Sequence, residues 1–423
     1  MSRFFKGFSA LILVLAIHGC GNSDSSVIQL NLPGNTEKKA EARVPQEIVL
    51  MISIDGFRND YLQKFSPPNL TKLAKKGVVA KGLIPAFPTL TFPNHVTLVT
   101  GRAPGNHGIV SNFFFDNQRK QAYQMNDGLA VNDGTWYRGE PVWAVAEKSG
   151  LKAATFFWVG SEADIGGIRP TYVKHYEDAL PNAQRAKEVI DWLHLPDDQR
   201  PGLVTLYFST VDSAGHKFGP DSEEVRAAVL EVDANIGLIA DDAEKNGIPV
   251  QFVIVSDHGM LAVKDMINLT AIADLSKFDG FERGALTTLH AKTPDAIPEA
   301  YAKLKAAERN YKVYRPQDLP PRWKFTDTAR SGDLIVVADP GYYLYQQGFT
   351  TEVPKVSKAT HGWDPSTPEM QGLFIVQGSK FKSGLVIPAF DNVNVYPLVL
   401  EVLKLKATLP HDGDLKVLQG VLK

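Results

Sequence analysis

The sequence predicts an α/β fold, a central, mostly parallel sheet flanked by helices, with a small α+β insertion. Three observations carry that expectation. The run Ile48-Val49-Leu50-Met51-Ile52-Ser53-Ile54 is almost wholly apolar and stops at Asp55-Gly56, the pattern of a strand buried on both faces with a polar group at its C-terminal tip. The pattern recurs in Leu203-Val204-Thr205-Leu206-Tyr207-Phe208, which leads to Asp212, and in Gln251-Phe252-Val253-Ile254-Val255, which leads to Asp257, with one helical stretch over 222–246 between them. Strand, helix, strand with polar tips marks a parallel crossover, and ligands of such sheets gather at the C-terminal strand edge. Between about 264 and 345 the pattern changes to short strands, Ala285-Leu286-Thr287-Thr288-Leu289-His290, Lys312-Val313-Tyr314 and Leu334-Ile335-Val336-Val337-Ala338, around a lysine-rich helix over 299–309.

In chain order, Arg3 and Lys6 precede an apolar run over 8–17, shorter than the ~20 residues needed to span a bilayer, so residues 1–20 read as a signal peptide. Ile17-His18-Gly19-Cys20 resembles a bacterial lipoprotein cleavage box, with Cys20 as the lipid-carrying terminus and Gly21 in keeping with sorting to the outer membrane. This predicts an exported protein on the periplasmic face of the outer membrane, with a soluble periplasmic or secreted form as the alternative. The polar run 21–46 reads as a flexible tether, and 47–423 as one catalytic domain. Helices are expected at 68–76 and 142–148, each closed by a glycine, a strand at 153–158, and a closing helix at 394–405.

The chain has 423 residues, 44% of them hydrophobic, and a formal net charge of −2. That is enough apolar material for a large core, and no basic block supports binding to a nucleic-acid backbone. Cys20 is the one cysteine, so disulfides contribute nothing to the folded part.

The loop Ile84-Pro85-Ala86-Phe87-Pro88-Thr89-Leu90-Thr91-Phe92-Pro93-Asn94-His95 holds three prolines after Ile84. They fix φ and extend the preceding residues, so the Thr91 hydroxyl is held at little entropic cost just ahead of a helix that Gly101 stops. An alcohol still needs a base or a metal ion to act as a nucleophile. Four segments offer ligands at strand tips or in loops: Asp55, Asp212 with His216, Asp257-His258, and His361. Each alone suits a helix cap or a core histidine; together, mixed imidazole and carboxylate donors suit zinc.

These segments, with Gly105-Asn106-His107-Gly108-Ile109-Val110-Ser111-Asn112, Gly139-Glu140-Pro141-Val142-Trp143, Asp212-Ser213-Ala214-Gly215-His216, Ser256-Asp257-His258-Gly259-Met260 and Thr360-His361-Gly362, run in the order found in the alkaline phosphatase superfamily. The chain most closely resembles its nucleotide pyrophosphatase/phosphodiesterase branch. The resemblance implies an alkaline-phosphatase-like fold and two zinc ions, one on Asp212, His216 and His361, the other on Asp55, Thr91, Asp257 and His258. It implies Thr91 as nucleophile, a phospho-threonine intermediate, Asn112 as a donor to a phosphate oxygen, and release of nucleoside 5′-monophosphates. Phe92 follows Thr91, and Tyr172 lies in a segment resembling the one that faces the nucleobase; both are expected to bind the substrate. Choline-type or lipid head-group diesters are the alternative substrates.

Sulfatases and phosphonate hydrolases of the superfamily carry a modified cysteine or serine and a following Pro-x-Arg, which Thr91-Phe92-Pro93-Asn94 lacks. A manganese-dependent mutase of cytoplasmic sugar phosphates fits poorly with a signal peptide. A non-catalytic zinc-binding lipoprotein has no use for the Thr91 loop. The partner expected is therefore a small phosphodiester, with the membrane reached only through the N-terminal lipid.

Overall fold

A computed structural model of the chain describes residues 47–325, 327, 329–346 and 357–423. Cys20, the signal peptide and the whole of the tether over 21–46 fall outside the described residues.

Among the described residues eight strands form the central sheet: β1 (Ile48–Ile54), β2 (Val78–Ala80), β3 (Ala153–Phe156), β4 (Tyr172–Lys174), β5 (Leu203–Phe208), β6 (Val250–Val255), β7 (Phe374–Gln377) and β8 (Leu385–Ile387). Their order is β8-β2-β7-β6-β1-β5-β3-β4, and β7 alone runs against its neighbours. All seven residues of β1 are buried because the strand lies mid-sheet with helices on both faces. Ile48, Leu50, Ile52 and Ile54 pack on one side with helices Pro68–Lys76, Asn182–Leu193 and Glu223–Asn246. Val49 and Met51 pack on the other with helices Thr91–Thr100, Val142–Lys148 and Val395–Leu403. At ~1.5–3 kcal/mol for each buried aliphatic side chain, these six contribute on the order of 10 kcal/mol before chain entropy is subtracted. The same period-2 alternation places Ser53 and Asp55 toward the second face, where the Thr91–Thr100 helix lies.

Local chemistry explains the element ends. Ser222 caps Glu223–Asn246 by accepting the Val225 N–H at 3.3 Å, and Gly247 stops that helix at φ 65°. The helix expected over 299–309 is Ala296–Ala306, since Pro298 falls in its first turn, where a missing N–H costs nothing. The closing helix is Val395–Leu403, ended by Lys404 at φ 57°. β3 stops at Phe156 rather than Trp158 because Phe157 takes φ 63° and turns the chain.

The insertion is a four-stranded antiparallel sheet in the order Phe278–Phe281, Leu286–Ala291, Leu334–Ala338, Tyr311–Tyr314, with helix Ala296–Ala306 between its second and third strands in sequence. Leu289, Leu304, Tyr311, Val313 and Val336 form its own core, whereas Leu286, Ile335 and Val337 join the core of the main sheet.

Candidate metal centre

Asp55 follows β1, Asp257 and His258 follow β6, and His361 follows the short strand Ala359–Thr360, which pairs with Leu261–Ala262. Asp212 and His216 are not on a strand tip or in a loop. They sit one turn apart on helix Thr210–Phe218, which begins just after β5, so both face the same way. Thr91 is the first residue of helix Thr91–Thr100 rather than a loop residue ahead of it. The proline loop is tied from within: Asn94 accepts the Ala86 N–H at 2.7 Å and donates to the carbonyls of Pro88 and Leu90, both at 2.9 Å.

The three histidines share one arrangement. The Nδ1 of His216 contacts the Ala359 carbonyl at 2.8 Å, that of His258 the Gly259 carbonyl at 2.9 Å, and that of His361 the Thr89 carbonyl at 3.0 Å. A carbonyl oxygen only accepts, so each Nδ1 carries the hydrogen, and the neutral form of each ring presents its lone pair at Nε2. His258 Nε2 stands 3.0 Å from Asp257 Oδ2, 3.4 Å from Asp55 Oδ1 and 3.2 Å from the Thr91 hydroxyl. His361 Nε2 stands 3.2 Å from His216 Nε2 and 3.6 Å from Asp212 Oδ1, and His216 Nε2 is 3.4 Å from Asp212 Oδ2. Among the described residues, Asp55 Oδ1, Asp212 Oδ1 and Asp257 Oδ2 are buried with no hydrogen-bond partner.

Facing lone pairs and unpartnered carboxylate oxygens repel one another unless a cation sits among them, so this donor set fits divalent metal ions. Asp55, Asp257 and His258 bring their ligand atoms within 4.8 Å of one another, as do Asp212, His258 and His361, so His258 belongs to both clusters by distance. The crowded charges shift the members of the cluster in different directions. Burial, then the charges of Asp257 and Asp212, push the Asp55 carboxyl well above the ordinary carboxylate range. Burial opposes ionisation of Asp257, yet the His258 and His95 imidazoles hold its carboxyl low. Burial, with His258 and His216 close by, drives His361 well below the usual imidazole range.

The other expected residues divide. Asn112 lies at the start of the Thr91 helix, where its side-chain oxygen accepts the Phe92 N–H at 3.0 Å. Phe92 lines a cleft of about 620 Å³ together with Asp55, Thr91 and Asp212. Tyr172 does not reach it: the ring stacks on Trp192 at 6.3 Å and the hydroxyl donates to the Gln199 carbonyl at 2.9 Å, on the edge strand β4. The exposed tyrosine in the cleft wall is Tyr176, four residues on and 51% exposed, beside the buried Tyr207. Sequence reasoning also missed His95, which contacts the Thr91 carbonyl at 2.9 Å and the Ser53 hydroxyl at 2.8 Å, and Tyr207, whose hydroxyl donates to Asp55 Oδ2 at 2.5 Å. The available signal for both was parity, since Ser53 pairs with Tyr207 across β1 and β5 and His95 is one turn past Thr91.

The model of the type I phosphodiesterase / nucleotide pyrophosphatase family matches residues 49–364, a span that holds every residue of this centre. The chain belongs to this family. An uncharacterised pyrophosphatase/phosphodiesterase of Schizosaccharomyces pombe is 35% identical over 384 residues, covering 87% of this chain and 79% of that protein. Human ectonucleotide pyrophosphatase/phosphodiesterase family member 1 is 34% identical over 391 residues, 88% of this chain but 42% of its own length, so this chain spans less than half of that relative. The fold of a murine ectonucleotide pyrophosphatase/phosphodiesterase 5, an inactive threonine-to-alanine variant in complex with AMP, matches with a TM-score of 0.83 at 28% identity, over 89% of this chain and all of that one. The family's fold thus agrees with the mostly parallel sheet read from the strand runs.

Proposed function

We propose that this chain hydrolyses phosphodiester and pyrophosphate bonds of nucleotides, releasing nucleoside 5′-monophosphates through a covalent ester on Thr91. The observation that carries the reading is the Thr91 hydroxyl at the head of a helix, 3.2 Å from His258 Nε2 and beside unpartnered carboxylate oxygens. Asp212, His216 and His361 would hold one zinc ion, and Asp55, Thr91, Asp257 and His258 a second. When bound, zinc supplies positive charge that lowers the pKa of a hydroxyl and offsets charge on phosphoryl oxygens.

Thr91 Oγ1 attacks phosphorus, losing its proton to solvent, as the bond to the leaving oxygen breaks and that oxygen takes up a proton. Water then adds to phosphorus, the bond to Thr91 breaks, and the threonine regains its hydrogen. The positive end of the dipole of helix Thr91–Thr100 and the Asn112 amide favour the negative charge that gathers on the remaining oxygens. The Thr91 carbonyl is pinned by His95, and Asn112 by the Phe92 N–H, so neither reorganises as the charge develops.

Diesters are favoured over monoesters because, among the described residues, no arginine or lysine lines the cleft to clamp a dianion. Arg102, the nearest in sequence past the Thr91 helix, instead donates to the Pro410 and Asn106 carbonyls. Of the rings that line the cleft, Phe157, Trp158 and Tyr207 are buried, which leaves Phe92 and Tyr176 to a nucleobase, and the relative held with AMP supports a nucleotide. A second reading, a choline-type diester with a cationic substituent, is favoured by Glu162 and Asp178 in the same cleft wall. Hydrolysis of nucleotide, choline and aryl substrates by zinc-loaded protein separates them. We expect the nucleotide 5′-diester to have the highest kcat/KM, well above an aryl monophosphate. Stacking worth ~1–3 kcal/mol implies a loss of about 5- to 150-fold on that substrate in Tyr176→Ala and little change in Tyr172→Ala. A faster choline diester or monoester would overturn the nucleotide assignment.

Export and lipid attachment at Cys20 form part of the same proposal and rest on the N-terminal sequence. Among the described residues no helix is long and apolar enough to cross a membrane. Cys20→Ser is expected to leave the membrane fraction or stay unprocessed; normal cleavage with unchanged fractionation would contradict lipidation.

A further inference from the structure

We propose that Tyr207 is a positioning residue for the metal centre, its hydroxyl holding one oxygen of Asp55 so that the other is presented to a divalent cation. The inference rests on the metal reading of the site and goes beyond the ligand set. β1 and β5 are parallel neighbours in which Ser53 pairs with Tyr207 and Ile54 with Phe208, and the Asp55 N–H continues the ladder to the Phe208 carbonyl at 2.9 Å. This register fixes the Tyr207 side chain diagonally behind Asp55, on the face that carries Ser53.

The contact is short and dry. The Tyr207 hydroxyl is 2.5 Å from Asp55 Oδ2, within the range of a charge-assisted O–H···O⁻ bond, with the tyrosine 7% and the aspartate 2% exposed. The two carboxylate oxygens therefore have different surroundings. Oδ2 is occupied by the phenol, while Oδ1 has no hydrogen-bond partner and lies 3.4 Å from His258 Nε2 among the other candidate ligand atoms. A carboxylate held by one oxygen cannot turn to offer both, so Tyr207 would make Asp55 a one-oxygen ligand of fixed direction. The ring is itself braced edge-on against His95 at 5.1 Å, and His95 contacts the Thr91 carbonyl. Asp55 and Thr91 are thus steadied by adjoining parts of one buried layer.

The test is equilibrium zinc binding to the full chain in competition with a chelator, for wild type, Tyr207→Phe, Asp55→Asn and the double variant. In Tyr207→Phe one of the two zinc ions should bind 10- to 100-fold more weakly while the other is unchanged, and excess zinc should restore kcat with KM unaltered. The double variant should bind no more weakly than Asp55→Asn alone, because the hydroxyl acts only through that carboxylate. Tyr207→Leu, also lacking the hydroxyl, replaces Tyr207→Phe if the latter does not fold. Wild-type affinity at both sites in a folded variant without the hydroxyl would overturn the inference. Wild type that binds no zinc would instead overturn the metal reading beneath it.

Discussion

His290 is a histidine with no hydrogen bond to either ring nitrogen among the described residues, 4% exposed and set edge-on against Phe115 and Phe281 at 5.8 and 5.4 Å. Burial pushes its imidazole down to about 4. An unfolded chain takes up this proton near pH 6.5 and the folded protein only near 4, so the stability linked to the neutral ring is complete above 6.5 and is lost as pH falls through that window. His290→Leu should therefore match or exceed wild-type stability at pH 8, and gain about 2 kcal/mol on wild type between pH 8 and 5. Chemical denaturation at the two pH values reads the difference, and a gap that does not widen in acid contradicts it. Single residues were unevenly legible in the sequence. Thr91, Asp257, His258 and His361 were marked by local motifs, whereas Tyr172 opens edge strand β4 and Tyr176 follows it by two residues, so which tyrosine reaches the cleft depends on where that strand ends. Nothing periodic in the sequence records that.

Elements were clearer than residues wherever both faces were buried. The apolar runs of β1, β5 and β6 announced central strands, and Ser222 and Gly247 bounded the long helix. The short helix carrying Asp212 and His216 was obscured because Thr210, Val211, Asp212, Ser213 and Gly215 are residues of modest or poor helix propensity, and tertiary packing decides its state. Gly56 links two elements at this point. It turns the chain after β1 at φ 67°, and a Cβ there would lie 2.9 Å from the Asp212 Cα. Gly56→Ala is expected to strain the turn and displace Asp212, lowering zinc occupancy and kcat more than thermal stability. Metal analysis of the purified variant checks this. Full occupancy with wild-type kcat would show that the turn can shift without moving the ligand.

At the scale of the whole molecule, the sequence marked the insertion by its change of pattern but not how firmly it is built into the main domain. Arg330 shows why. Its Nε donates to Asp116 Oδ2 at 2.8 Å and its Nη1 to the carbonyls of Gly108 and Trp136 at 2.7 and 2.8 Å, with both members of the ion pair 3% exposed. These contacts join segments more than 190 residues apart, which no local pattern reveals. Trp323 likewise stacks on Phe87 of the proline loop at 3.9 Å. Arg330→Met should cost about 3 kcal/mol, since it takes the counter-ion from a buried carboxylate that keeps only the Gln118 and Arg119 N–H groups. Far-UV and near-UV signals should still fall together in denaturant, because the insertion shares the main core. An unchanged midpoint, or two separate transitions in wild type, would contradict this.

The claim on which the rest depends is that Thr91 carries the substrate's phosphoryl group during turnover. Zinc-loaded protein quenched in acid during hydrolysis of a nucleotide 5′-diester, digested and analysed by mass, should yield the peptide containing Thr91 with a nucleotidyl adduct. Thr91→Ser should give the corresponding adduct and keep substantial activity, while Thr91→Ala should give none and lose several orders of magnitude in rate with its metal retained. Wild-type turnover by Thr91→Ala, with no adduct on the wild-type peptide, would show that water attacks phosphorus directly and would contradict the account.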